Sequence, residues 1–93
     1  MKIKFSENFY FLLTEIINFI AKDKPQASKK FKTDLLKSIR KDLKFPYNYK
    51  KSTYFDSYLY RDYIHKGYTI TYEIDEKEKF ITIIGIIKNK NTY

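Results

Sequence analysis

The sequence predicts an α+β domain whose elements run β-α-α-β-β-β, with an N-terminal helical hairpin packed on a mostly antiparallel sheet. Three observations carry that expectation. Apolar residues recur at helical spacing from Phe9 to Leu43, broken once at Lys24-Pro25. Tyr68, Ile70, Tyr72 and Ile74 alternate with Thr69, Thr71 and Glu73, the pattern of a half-buried strand. The length of 93 residues admits one domain, 1–93.

Each element has a local cause. Lys2–Phe5 alternates polar and apolar, which makes a first strand. Ser6 is a good N-cap and Glu7 suits a first helical turn. Phe9, Leu12, Leu13, Ile16, Ile17 and Ile20 then form the apolar stripe of a helix that reaches about Lys22. Proline disfavours helical geometry in the residue before it, so Lys24-Pro25 breaks this helix and starts another. Ala27, Phe31, Leu35, Ile39 and Leu43 follow at steps of four. Phe45-Pro46 ends the hairpin, and residues 46–57 read as a loop. Tyr58–His65 is a strand, followed by a tight turn at Lys66-Gly67 and the alternating strand from Tyr68. Asp75–Glu78 is a charged turn, Phe80–Ile87 a strand apolar on both faces, and Lys88–Tyr93 a polar, fraying tail.

Composition narrows the function classes. A hydrophobic fraction of 43%, with 10 Tyr and 8 Phe, excludes intrinsic disorder. With no cysteine, disulfides and thiolate metal sites are excluded, and one histidine leaves little scope for an imidazole site. No metal or cofactor is expected. No apolar run reaches the roughly 20 residues of a membrane span, and Met1–Phe5 does not open a signal peptide, so a cytoplasmic protein without a membrane partner is expected. The net charge of +8 is concentrated: residues 29–66 hold eleven Lys+Arg against four acids, or +7. Such a region attracts anionic partners, either nucleic acid or an acidic protein, or is simply a solvated helix face. Lysine far outnumbers arginine, which argues against bidentate reading of bases.

Several stretches together resemble the RelE/ParE superfamily of toxins from type II toxin–antitoxin systems. They are Ile16–Ala27 (IINFIAKDKPQA), Leu43-Lys44-Phe45-Pro46, Tyr60-Arg61-Asp62-Tyr63, and Gly67–Ile74 (GYTITYEI). The resemblance implies a toxin neutralised by a cognate antitoxin, with two possible activities. The RelE-like branch cleaves messenger RNA on the ribosome, and the ParE-like branch inhibits DNA gyrase by binding it. The RelE-like nucleases carry an Arg directly after the Tyr of the turn, where this chain has Thr69 after Tyr68. Their C-terminal basic-plus-Tyr cluster is matched only in part by Lys90 and Tyr93. Both departures favour the gyrase branch. A non-enzymatic basic adaptor or a degenerate toxin is the reading from a different class.

The residues define two candidate sites. Metal-free RNA cleavage needs a base, a cation for the phosphorane charge and an acid for the leaving oxygen. Arg61, Tyr63 and His65 share one face of their strand by period two and, with Lys90 and Tyr93, form the catalytic set of the ribonuclease case. If that face is the polar one of the next strand, it joins Thr69, Thr71 and Glu73. The plainer alternatives are a cross-strand ion pair between Glu73 and Arg61 or Lys66, and an exposed turn histidine at His65. The second candidate site meets the acidic antitoxin through Lys30, Lys37, Arg40 and Lys41. Because Phe80–Ile87 is apolar on both faces, Ile81, Ile83 and Ile87 are expected on a face covered either by the antitoxin or by loop 46–57 folding back.

Overall fold

The structure, a computed structural model, describes residues 1–90. Strand β1 (Lys2–Phe5) leads into α1 (Glu7–Ala21) and α2 (Pro25–Asp42). A short 3-10 turn (Pro46–Asn48) then precedes β2 (Lys50–Lys51), β3 (Tyr60–His65), β4 (Tyr68–Asp75) and β5 (Phe80–Lys88). The sheet order is β1-β5-β4-β3-β2; β1 runs parallel to β5 and every other pair is antiparallel. The α+β expectation and its hairpin hold. The sheet gains a fifth strand, because Lys50 and Lys51 of the expected loop pair with Asp62 and Arg61.

Local chemistry accounts for the hairpin. The Ser6 hydroxyl accepts from the Phe9 amide at 3.0 Å and caps α1. The Ser6 amide donates to the Ile83 carbonyl and the Asn8 amide side chain to the Ile84 carbonyl, so α1 takes over the edge of β5 where β1 stops. Pro25 opens α2 at its first turn. Ser28, not Ala27, faces the neighbouring helix: it is buried and donates to the Ile17 carbonyl at 3.1 Å. The core lies between helices and sheet and holds Phe9, Leu13, Leu35, Ile39, Ile70, Tyr72, Ile81 and Ile83. Each such aliphatic side chain contributes about 1.5–3 kcal/mol of burial free energy.

The turn between β3 and β4 has positive φ at Lys66 (47°) and Gly67 (84°), the backbone of a two-residue hairpin turn that requires glycine or a tolerant residue. Beyond it, the polar segment after β5 does not fray at once. Asn89 donates its amide to the Gly67 carbonyl at 2.8 Å, and its side chain meets the Thr69 hydroxyl at 2.6 Å. Among the described residues, no helix is long and apolar enough to cross a membrane.

Candidate functional site

Arg61, Tyr63 and His65 do share one face of β3, but it is the face turned towards the helices. The register sets Arg61 opposite Tyr72, Tyr63 opposite Ile70 and His65 opposite Tyr68, and opposed residues point to the same side. Thr69, Thr71 and Glu73 instead stand opposite Ile64, Asp62 and Tyr60, on the outer face. The expected meeting of Arg61 and Tyr63 with the polar face of β4 therefore does not occur. Period two groups residues within a strand, whereas only the pairing register says which group meets which.

Each of the three is engaged in holding the fold. The Arg61 guanidinium donates to three backbone carbonyls, those of Tyr58 (2.7 Å), Tyr49 (2.9 Å) and Tyr47 (3.2 Å), and lies over the Tyr47 ring. It thereby ties the segment after α2 to β3. The Tyr63 hydroxyl donates to the Asp42 carboxylate at the end of α2; burial, then that acceptor, pushes its pKa up and keeps the phenol neutral. His65 is 8% exposed, beside Phe31, with its Nε2 buried and unpaired. Burial, then neighbouring Lys66, pushes its pKa down. The exposed turn histidine expected here is thus a buried one, because α2 lies across the strand end. Lys90 is exposed, and Tyr93 lies outside the described residues.

The predicted cross-strand ion pair is absent among the described residues. Glu73 stands across from Tyr60, where its negative charge disfavours the phenolate and raises the Tyr60 pKa. Lys66 reaches Asp34 of α2 at 3.5 Å, as does Lys30 at 3.3 Å. A second acidic anchor, Glu76, accepts from the Tyr47 and Tyr58 hydroxyls, which lowers its pKa and pushes that of Tyr47 up to about 12. Arg61 and Glu76 together hold a segment whose Phe45, Tyr47, Tyr54 and Tyr58 are exposed.

The outer face of the sheet is decided by a bulge. Tyr72 pairs with Ile83 while its neighbour Thr71 pairs with Gly85, so Ile84 is an extra residue on β5. The insertion shifts parity: Ile86, not Ile87, follows Ile81 and Ile83 into the core. Ile81 and Ile83 are 0% exposed under the helices and offer nothing to a partner, which corrects the expectation that they join an outer contact face. Ile87, by contrast, is 44% exposed. It lines an open groove of about 270 Å³ with Leu12, Thr69, Thr71, Ile84, Tyr54 and Phe55. Loop 46–57 therefore does fold back onto this face through Tyr54 and Phe55, and Phe55 stacks on Tyr60 at 4.1 Å. It covers the face only in part.

The charged candidates lie on α2. Lys30, Lys37, Arg40 and Lys41 are exposed and fall within about 80–100° of one another on the helix, at 100° per residue. Arg40 and Lys41 sit in the last turn, where cations complement the helix dipole. Arg40 also lies over the Phe5 ring. On α1 the structure exposes Phe11 (62%) and Phe19 (72%), which border a groove with Glu15, Asn18 and Lys22. Neither was singled out from the sequence: Phe11 falls opposite the stripe of Phe9, Leu12, Leu13, Ile16, Ile17 and Ile20, a signal that was available, whereas Phe19 lies about 20° beyond Leu12 at its border, where spacing alone does not tell exposed from buried.

A solved structure described as the chromosomal ParDE TA system from P. aeruginosa is similar to the chain with a TM-score of 0.76 and 16% identity, over 97% of each chain. At that identity the likeness speaks for the fold. No curated relative matches the sequence. A family model described as the ParE toxin of the type II toxin–antitoxin system, parDE, matches residues 3–93. The chain belongs to the ParE toxin family of type II toxin–antitoxin systems.

Proposed function

We propose that this toxin arrests growth by binding and inhibiting DNA gyrase, and that a cognate acidic antitoxin neutralises it. One observation carries the choice of gyrase over messenger RNA: Arg61, Tyr63 and His65, the groups best suited to cleave RNA, are spent on backbone carbonyls, a carboxylate and the core. A binder needs only a rigid surface, and the exposed aromatics pinned by Arg61 and Glu76 supply one. The membership in the ParE branch supports the same reading. For the antitoxin, acidic side chains meet Lys30, Lys37, Arg40 and Lys41 on α2, and an apolar residue seats against Ile87 in the outer groove.

Two assays on one preparation test the target: DNA supercoiling by gyrase, and cleavage of messenger RNA on translating ribosomes. Inhibited supercoiling with intact transcripts is expected. Ribosome-dependent cleavage without supercoiling inhibition overturns the proposal in favour of a ribonuclease. Neither effect at growth-arresting doses overturns both. For the antitoxin, the protein encoded beside the toxin gene should restore growth and bind more weakly to a toxin carrying Lys37→Glu and Lys41→Glu.

A further inference from the structure

The solvent face of α2 is more uniform than its net charge conveys. At 100° per residue, Gln26, Lys29, Lys30, Thr33, Lys37, Arg40 and Lys41 fall within an arc of about 120°. All seven are exposed, five are cationic and none is acidic. The nearest acid, Asp34, sits at the border of the arc and is half-buried, neutralised by Lys30 and Lys66. Among the described residues, no carboxylate forms an ion pair with Lys29, Lys37, Arg40, Lys41 or Lys44. From Lys29 to Lys41 the row runs about 18 Å at 1.5 Å per residue, and Lys44 extends it in the turn that follows.

We infer that this row is a docking surface for duplex DNA that grips the phosphate backbone without reading sequence. Three features select that ligand. A row of one sign on a stiff helix matches a polyanion whose charges are also regularly spaced, about one per 1.7 Å of duplex axis. The cations are nearly all lysines, point charges that suit phosphate oxygens and lack the planar fork that reads guanine edges. The arc carries no aromatic side chain, so it offers no platform on which unpaired bases stack, and single strands gain nothing there. Phosphates neutralised by these lysines release the cations condensed on the DNA, and that release drives the association. The contact needs neither gyrase nor antitoxin, although an acidic antitoxin on Lys37 and Lys41 would exclude the duplex.

The test measures binding of the full-length toxin to a fluorescent duplex of arbitrary sequence, from 50 to 200 mM salt. Wild-type affinity is expected to fall roughly 150-fold or more across that range, from about 0.9 counterion per contact and four or more contacts. Changing Lys29→Gln, Lys37→Gln, Lys41→Gln and Lys44→Gln together should flatten the salt slope by about 3.6. The same charge removed elsewhere, through Lys2→Gln, Lys22→Gln, Lys77→Gln and Lys88→Gln, should flatten it far less. Circular dichroism of the two variants should match wild type, since all eight lysines are exposed. Equal loss in both variants overturns the inference, because net charge alone then explains binding. So does tighter binding of the single strand, or polyglutamate bound as tightly as the duplex at the same salt.

Discussion

Replacing Arg61 with alanine removes three hydrogen bonds from one guanidinium, to the carbonyls of Tyr58, Tyr49 and Tyr47. Bonds to a charged donor contribute about 1.5–3 kcal/mol when shielded from water. Here the Tyr58 and Tyr47 bonds lie at the surface and only the Tyr49 bond is partly buried, so water recovers much of the loss. About 0.5–1 kcal/mol for each of the surface pair and about 1 for Tyr49 gives roughly 2–3 kcal/mol in total. In a domain of this size 1 kcal/mol moves Tm by about 4–8 °C, so Arg61→Ala should melt roughly 10–20 °C below wild type. Arg61→Lys should recover less than half, because one ammonium on a flexible stem cannot span three carbonyls. Limited proteolysis should open the 46–58 segment in the alanine variant first. If Arg61 were instead an open-face catalytic group, alanine would leave stability within about 0.5 kcal/mol, roughly 2–4 °C in Tm. A melt that close to wild type, with the segment still protected, refutes the clamp.

Three further predictions follow from burial and register. Ile83→Ala should cost about 2–4 kcal/mol in urea denaturation and Ile87→Ala less than about 1, since the bulge buries one and exposes the other; equal costs would mean that the parity shift is wrong. Tyr63→Phe should lose about 1–2 kcal/mol through the Asp42 bond while leaving the proposed gyrase inhibition intact in the folded protein, and a loss of activity without a loss of stability would restore a chemical role. His65 sets a pH dependence. Its folded pKa lies below the unfolded 6.5, so the unfolded chain binds the extra proton. The stability it contributes is complete above about pH 7 and declines as pH falls through 6.5 towards the lowered folded value, by up to about 1.4 kcal/mol per unit. Tm should fall between pH 7 and 5.5 in wild type and stay flat in His65→Gln; a wild type equally flat there contradicts the buried, unpaired imidazole.

Much of this protein was legible in its residues alone. Ser6, Lys24-Pro25 and Lys66-Gly67 act through their own backbone and nearest neighbours, so helix starts, the hairpin break and the tight turn follow without tertiary information. The stripe through Leu35 and Ile39 and the alternation through Ile70 and Tyr72 are likewise periodic, and periodicity survives in one dimension. The basic arc of α2 belongs to this class too, because helical spacing alone places Lys37, Arg40 and Lys41 together.

Only the tertiary structure decided which groups are free to act. That Arg61, Tyr63 and His65 turn towards the helices depends on the pairing of β3 with β4 and on α2 lying across the strand end. That Ile83 is core and Ile87 surface depends on one extra residue at Ile84, accepted because Asn8 of α1 bonds its carbonyl. Such facts are relations between segments far apart in the chain, and no local pattern encodes them. The residue types allowed either a nuclease or a binder. Folding engaged Arg61 and Tyr63 in hydrogen bonds, buried His65 beside Phe31, and left lysines and aromatics at the surface, because a half-buried donor gains from a partner while a lysine can remain in water.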